Sequence, residues 1–238
     1  MTISAETLEG LRKYDTPTVC NVIELFNVRP RSTGYMDKSI EANYPELPPM
    51  VGFALTSEFR SLSPSQSDAY GGLPAQLEAF SSMPGPPVIV FQDLDTPSAA
   101  ATFGEVMCST YKAFGSAGLI TSGTGRDLDQ VRPLNFPTFT NGTCCSHGDC
   151  HILNINVPVV VGGITIYPND LLHGDCNGVT TIPQDIASEI PDACAEFMKA
   201  EAHVIEYVNA GSPTLDGFQE AAAAMSNDVK ALAGRLQG

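Results

Sequence analysis

The run Pro87-Val-Ile-Val-Phe-Gln-Asp is apolar at both odd and even positions, so as a strand it has to be covered on both faces. Residues 108–115 (CSTYKAFG) read as helix, and residues 118–123 (GLITSG) read as a strand directly after it. Strand, helix and strand in succession place the chain in the α/β class.

The same unit carries the residues with the most chemical potential. Glu105 stands at the start of the helix, and the adjacent pair Arg126-Asp127 follows the returning strand. A helix of about 11 residues rises about 16 Å, and a strand of about five to six residues comes back nearly as far. Glu105 and Arg126-Asp127 are therefore expected to meet at one end of the unit. There the helix start offers unpaired N–H groups and positive dipole charge, Arg126 offers a planar fork for a carboxylate, and Asp127 offers a hard oxygen for a divalent cation. The arrangement suits a small 2-oxo acid held against Mg²⁺ or Mn²⁺; the alternative is a surface Arg-Asp after a strand.

Around this unit, residues 5–14 read as a short helix. A second helix follows, with Thr16 as N-cap, Pro17 at its first position, and Val19, Val22, Ile23 and Phe26 on its buried face. Residues 27–49 read as an irregular connection, 51–59 as a strand and 74–82 as a helix. Short segments at 152–161, 163–167, 170–174 and 179–182, punctuated by Gly and Asn, predict a compact β element. A long helix is expected over 186–208, with Ile190, Cys194, Phe197, Met198, Val204 and Ile205 in register, and another over 219–236. Gly211 and Pro213 mark a break, so the division is a single domain over 1–210 and a helical extension over 211–238.

A net charge of −15 with only 12 Lys+Arg leaves no basic stripe for phosphate neutralisation, and anionic membrane surfaces are disfavoured equally. MTISAETLEG has neither a basic nor an apolar leader region, and a cytoplasmic location is expected. Seven cysteines in a chain of this size fit reduced thiols, Cys144 and Cys145 included, better than a disulfide framework. Three of the four histidines lie between 147 and 173; His147, Cys150 and His151 have donor types that zinc takes, but their spacing fits none of the common zinc forms. Core or surface imidazoles satisfied by hydrogen bonds are the plain alternative. Asp175, in Gly174-Asp-Cys-Asn-Gly, is expected to shape a tight turn with Gly178 at positive φ. Gly71-Gly-Leu-Pro is read as a loop over the site.

Taken in order, Tyr14-Asp-Thr-Pro-Thr-Val-Cys, Gly104-Glu-Val-Met, Gly123-Thr-Gly-Arg-Asp-Leu-Asp, Phe136-Pro-Thr-Phe-Thr-Asn-Gly, Val157-Pro-Val-Val-Val-Gly-Gly and Gly174-Asp-Cys-Asn-Gly-Val-Thr-Thr-Ile-Pro resemble the RraA-like family. The family includes metal-dependent 4-hydroxy-4-methyl-2-oxoglutarate and 4-carboxy-4-hydroxy-2-oxoadipate aldolases and the bacterial regulator of ribonuclease E. The resemblance implies a swivelling β/β/α domain, here with a C-terminal helical extension, assembled as a homotrimer or dimer of trimers with sites between subunits. It implies a class II pyruvate-type lyase acting on a small acidic 4-hydroxy-2-oxo acid, with oxaloacetate decarboxylase side activity. Asp127 would ligate Mg²⁺ or Mn²⁺, Glu105 would hold the metal's water, and Arg126 would bind the substrate carboxylate with backbone amides of Gly104, Glu105, Val106 and Met107. Glu201 or Glu196 of a neighbouring subunit would add a further acid. His147, His151 and His173 resemble a subgroup pattern in which they bind a second carboxylate or move a proton.

Two departures stand out: Glu105 where Asp is usual, and Gln130 where an acid is expected. The ribonuclease regulator lacks the Asp of the pair, so Asp127 favours an enzyme over the alternative, a non-catalytic interaction module.

Overall fold

The computed structural model describes residues 3–64 and 72–238. Two short N-terminal helices, α1 (Ala5–Leu11) and α2 (Thr16–Phe26), lead through β1 (Glu41–Ala42) into the long strand β2 (Met50–Arg60). Then come α3 (Leu73–Ala79), β3 (Pro87–Asp93), β4 (Ala101–Phe103), α4 (Glu105–Ala113), β5 (Gly118–Thr121), β6 (Thr124–Gly125), α5 (Leu128–Val131) and β7 (Thr138–Thr140). The last part holds β8 (His151–Ile155), β9 (Val159–Val161), β10 (Ile164–Ile166), β11 (Leu171–Asp175), β12 (Gly178–Ile182), α6 (Ile190–Asn209) and α7 (Leu215–Leu236).

The main sheet runs β1-β7-β5-β3-β2-β11-β12. Its middle strands β7, β5, β3 and β2 are parallel, and β1, β11 and β12 close the two sides antiparallel. At 11 residues, β2 is long enough to serve two partners on one edge: β11 pairs with its first half and β8 with its second.

Strand β3 meets the two-sided requirement set by its sequence. Ile89 and Phe91 face Phe103, Met107, Cys108 and Tyr111 of β4 and α4, while Val88 and Val90 face Val159, Val161 and Ile166 of the β9–β10 hairpin. A third cluster joins Val51, Phe53 and Leu171 to α1, α2 and α6, and Leu232 of α7 is buried in it. Among the described residues, no helix is long and apolar enough to cross a membrane.

Several local expectations are corrected. The N-cap of α2 is Asp15, whose carboxylate accepts from the Thr18 amide at 3.0 Å. Thr16 lies inside the helix, and its own amide donates to Asp175 Oδ2 at 2.8 Å. Residues 152–161 form two strands, because Asn156 turns the chain at φ 58° and Pro158 cannot donate to a ladder. The late strands are present, with β8, β11 and β12 joining the main sheet and β9 and β10 forming a hairpin of their own. Helix α6 begins at Ile190, with Pro191 in its first turn, and its buried face is Ile190, Ala193, Cys194, Phe197 and Ala200, which leaves Met198 and Ile205 exposed. The α7 helix starts earlier than expected, at Leu215, capped by Thr214. Of the loop read at 71–74, Gly71 lies outside the described residues, and Leu73 and Pro74 belong to α3.

Candidate active site

The twenty residues between Glu105 and Arg126 are closed by a parallel pair that the sequence did not reveal. β4 and β6 lie side by side, with Phe103 opposite Gly125, and the Arg126 amide donates to the Phe103 carbonyl at 3.1 Å. The residue after β4 and the residues after β6 are therefore neighbours. The Glu105 amide donates to Asp127 Oδ2 at 3.0 Å, so the Asp127 carboxylate sits on the N-terminus of α4. Arg126 Nε lies 3.6 Å from the same oxygen.

Gly104 is the residue that makes this approach feasible. A Cβ there would stand 2.5 Å from Asp127 Oδ2 and 3.0 Å from Arg126 Nε. Asp127 itself is held at φ 56°, a left-handed conformation that Asp tolerates better than most residues. Its carbonyl accepts from the amides of Gln130 and Val131, which fixes it as the first residue of the α5 turn.

Gly104, Val106, Met107, Arg126 and Asp127 line one pocket with Ala101, Thr102, Phe103, His147 and Cys150. The Glu105 side chain is exposed and does not line it; in the single chain Glu105 contributes its amide. Val106 is 62% exposed at the mouth. Cys150 Sγ lies 3.9 Å from His147 Nδ1; burial pushes this thiol up, and the Arg126 guanidinium partly offsets that. Sequence reasoning did not single out Thr102. Its hydroxyl is buried behind the pocket wall, 3.0 Å from that of Thr121.

The three histidines do not lie at one place. His147 lines the pocket. His151 opens β8 opposite Arg60, with Nδ1 on the Asp149 carbonyl at 2.7 Å, and does not line it. His173 is a correction: it is fully buried in β11, between Thr16 Oγ1 at 3.0 Å on Nδ1 and the Leu11 carbonyl at 3.1 Å on Nε2. The Nε2–H tautomer satisfies both contacts, with the Thr16 hydroxyl donating to Nδ1. This imidazole ties α1 and α2 to the sheet, and Asp175 ties α2 to it through the Thr16 amide while its Oδ1 accepts from Asn177 to form the turn before Gly178, at φ 125°.

Burial pulls the His173 pKa below the usual histidine range. A depressed folded-state pKa means that the unfolded chain binds the proton more readily. The stability His173 supplies is thus complete above about pH 6.5 and is lost as pH falls through the folded pKa. His173→Ala is expected to cost about 2–4 kcal/mol by leaving the Leu11 carbonyl and Thr16 hydroxyl without a partner in a dry interior. Urea midpoints at pH 7.5 and 5.5 should show a smaller acid loss in the variant than in the wild type; parallel losses would assign the acid sensitivity elsewhere.

The family model described as RraA-like, Aldolase/RraA, matches residues 16–181. The chain belongs to the RraA-like family. A Halalkalibacterium halodurans protein named "Putative 4-hydroxy-4-methyl-2-oxoglutarate aldolase" is 36% identical over 126 residues, covering 52% of this chain and 58% of that one. The chain thus matches little more than half the length of this curated relative. Among solved structures, an uncharacterized protein from Pseudomonas syringae pv. tomato superposes with a TM-score of 0.72 at 24% identity, covering 94% of this chain and 95% of its own. A Streptomyces coelicolor member of the RNase ES inhibitor RraA protein family gives 0.66 at 24% identity, covering 84% of this chain and 96% of its own. Both likenesses speak to the fold alone. In this RraA-like chain, Glu196 is held by Arg235 of its own α7 at 2.8 Å, whereas Glu201 lies near Asp15, and its pKa is raised mainly by burial and further by that aspartate.

Proposed function

We propose that this RraA-like protein is a divalent-metal-dependent lyase of the class II pyruvate-type aldolase kind, cleaving a small acidic 4-hydroxy-2-oxo acid, with oxaloacetate decarboxylation as a side activity. The observation that carries the reading is the Asp127 carboxylate seated on the α4 N-terminus beside Arg126, with Gly104 leaving the space open. The names of relatives such as the H. halodurans protein support the reaction class.

The donor set fits Mg²⁺ or Mn²⁺. Mg²⁺ keeps several waters and takes one or two carboxylates plus substrate oxygens, and Asp127, the carboxylate that lines this pocket, would be the direct ligand. A closed all-protein cage is not what this fold offers: among the described residues, no three His, Cys, Asp or Glu side chains gather to hold a metal. When bound, the cation would supply Lewis-acid polarisation of the 2-oxo group.

This chain's own groups do the rest. Arg126 clamps the C1 carboxylate with its planar fork, and the first-turn amides of Val106 and Met107 face the same anion. Loss of the C4 hydroxyl proton sends the C3–C4 bonding pair towards C2, giving pyruvate enolate and a carbonyl product, and a proton returned to C3 gives pyruvate. Glu105, whose side chain does not line the pocket in the single chain, would have to turn towards it to hold the water that exchanges these protons. Oxaloacetate offers the same electron sink, with CO₂ as the departing fragment. Of the three histidines expected to meet a second substrate carboxylate, His147 lines this pocket, which supports that role for it over His151 and His173. Glu201 from a neighbouring subunit, in a homotrimer or dimer of trimers, completes the proposed site.

Pyruvate release from oxaloacetate and from 4-hydroxy-4-methyl-2-oxoglutarate tests the reading. Release is expected with Mg²⁺ or Mn²⁺ and loss with EDTA, restored by added metal. No release with any metal would move the assignment to a non-catalytic binding module.

A further inference from the structure

A second arginine is built into a pocket that shares no residue with the Arg126 pocket. Arg29 lies against β12, the strand farthest from β7 along the sheet, in a small pocket with Cys20, Glu24, Arg31, Thr33 and Tyr35. Its guanidinium is fixed: Nη1 donates to Thr181 Oγ1 at 2.8 Å and Nη2 to Thr180 Oγ1 at 3.1 Å. Both hydroxyls in turn donate to the Gly34 carbonyl, at 3.1 and 2.9 Å, so the direction of every bond is set. Gly34, at φ 88°, lies directly under the fork, and any Cβ there would strike it.

No carboxylate among the described residues pairs with this arginine. Among the described residues every other arginine stands in an ion pair, in a chain where 27 acids outnumber 12 bases. Half-buried and held by two neutral hydroxyls, Arg29 bears the cost of desolvation with no counter-charge among the described residues to offset it. The second cation at the pocket, Arg31, is matched by Glu24 at 3.4 Å. The lining therefore carries one net positive charge, which suits a singly charged planar anion and disfavours a doubly charged one.

We propose that the Arg29 pocket is a binding site for a small carboxylate, held bidentately by the guanidinium edge that Thr180 and Thr181 leave free, with the Thr33 and Tyr35 hydroxyls beside it. The proposal is independent of the lyase reading, because it uses none of the same residues.

The probe is acetate, titrated against chloride at constant ionic strength, with the melting temperature followed in the whole protein. To remove the other arginine, the titration is repeated in Arg126→Ala. A saturable rise is expected in the wild type and in Arg126→Ala, absent in Arg29→Gln and shifted to several-fold higher acetate in Thr181→Val, which keeps the charge but frees the fork. Circular dichroism checks that Arg29→Gln is folded; if it is not, the Thr181→Val shift decides. An unchanged rise in Arg29→Gln or Thr181→Val, or no rise at all, overturns the site. Tighter binding of phosphate than of acetate overturns the carboxylate assignment. A mass change on sedimentation in Arg29→Gln, without a change in acetate response, would give the pocket to a carboxylate of a second copy.

Discussion

Asp127→Asn is expected to lower metal-dependent pyruvate release by about 10³-fold in kcat while the melting temperature stays within a few degrees of wild type. Asparagine is the informative replacement because the backbone at this position is left-handed, a conformation that Asn adopts readily and Ala does not. The amide oxygen also keeps the contact with the Glu105 N–H that the carboxylate makes at 3.0 Å. Shape, turn and helix cap are thus retained, and the negative charge is what disappears. A variant that kept wild-type turnover would remove Asp127 from the chemistry. One that lost turnover together with its fold would show only that Asp127 holds α4 to β6, and metal titration of the wild type by a spectroscopic Mn²⁺ signal would then separate the two roles.

How much of this was legible beforehand depends on the range of the interaction. The two-sided burial of β3, the helix–strand unit after it and the Asp175 turn all follow from local patterns, and all are present. The meeting of Glu105 with Arg126-Asp127 was legible as a distance but not as a cause. The cause is the β4–β6 pair, whose strands of three and two residues are too short to show a period of two. The division of β2 between β11 and β8 is invisible for a different reason: which strand pairs with which is set by tertiary contacts between segments about a hundred residues apart, not by either sequence run.

The histidines show the limit most clearly. His147 and His173 carry the same residue type in similar Gly-flanked settings, His-Gly-Asp in each case. One lines the pocket and the other is sealed under α1 and α2, because β11 is covered by helices on the face where His173 points. Residue chemistry names the candidates for a site, but only the packing assigns them. The Thr16 error has the same origin. Asp15 and Thr16 are both good caps, and the Asp175 carboxylate, 159 positions away, takes the amide that settles the choice.

Arg126→Ala is expected to reduce kcat/KM for 2-oxo acids by about 10²- to 10³-fold, shared between a higher KM and a lower kcat. Its side chain is 28% exposed, its guanidinium rests near the Asp127 carboxylate and the residue lines the pocket, so it meets the substrate carboxylate with little rearrangement. If it only held substrate, KM alone would rise; if it also balances charge that moves to C2 as the C3–C4 bond breaks, kcat falls too. Arg126→Lys separates geometry from charge. A lysine supplies the point charge but not the fork, so it should recover kcat more fully than KM. Full recovery of both by lysine would show that the planar fork is unimportant, and an unchanged kcat/KM in Arg126→Ala would place substrate recognition outside this pair.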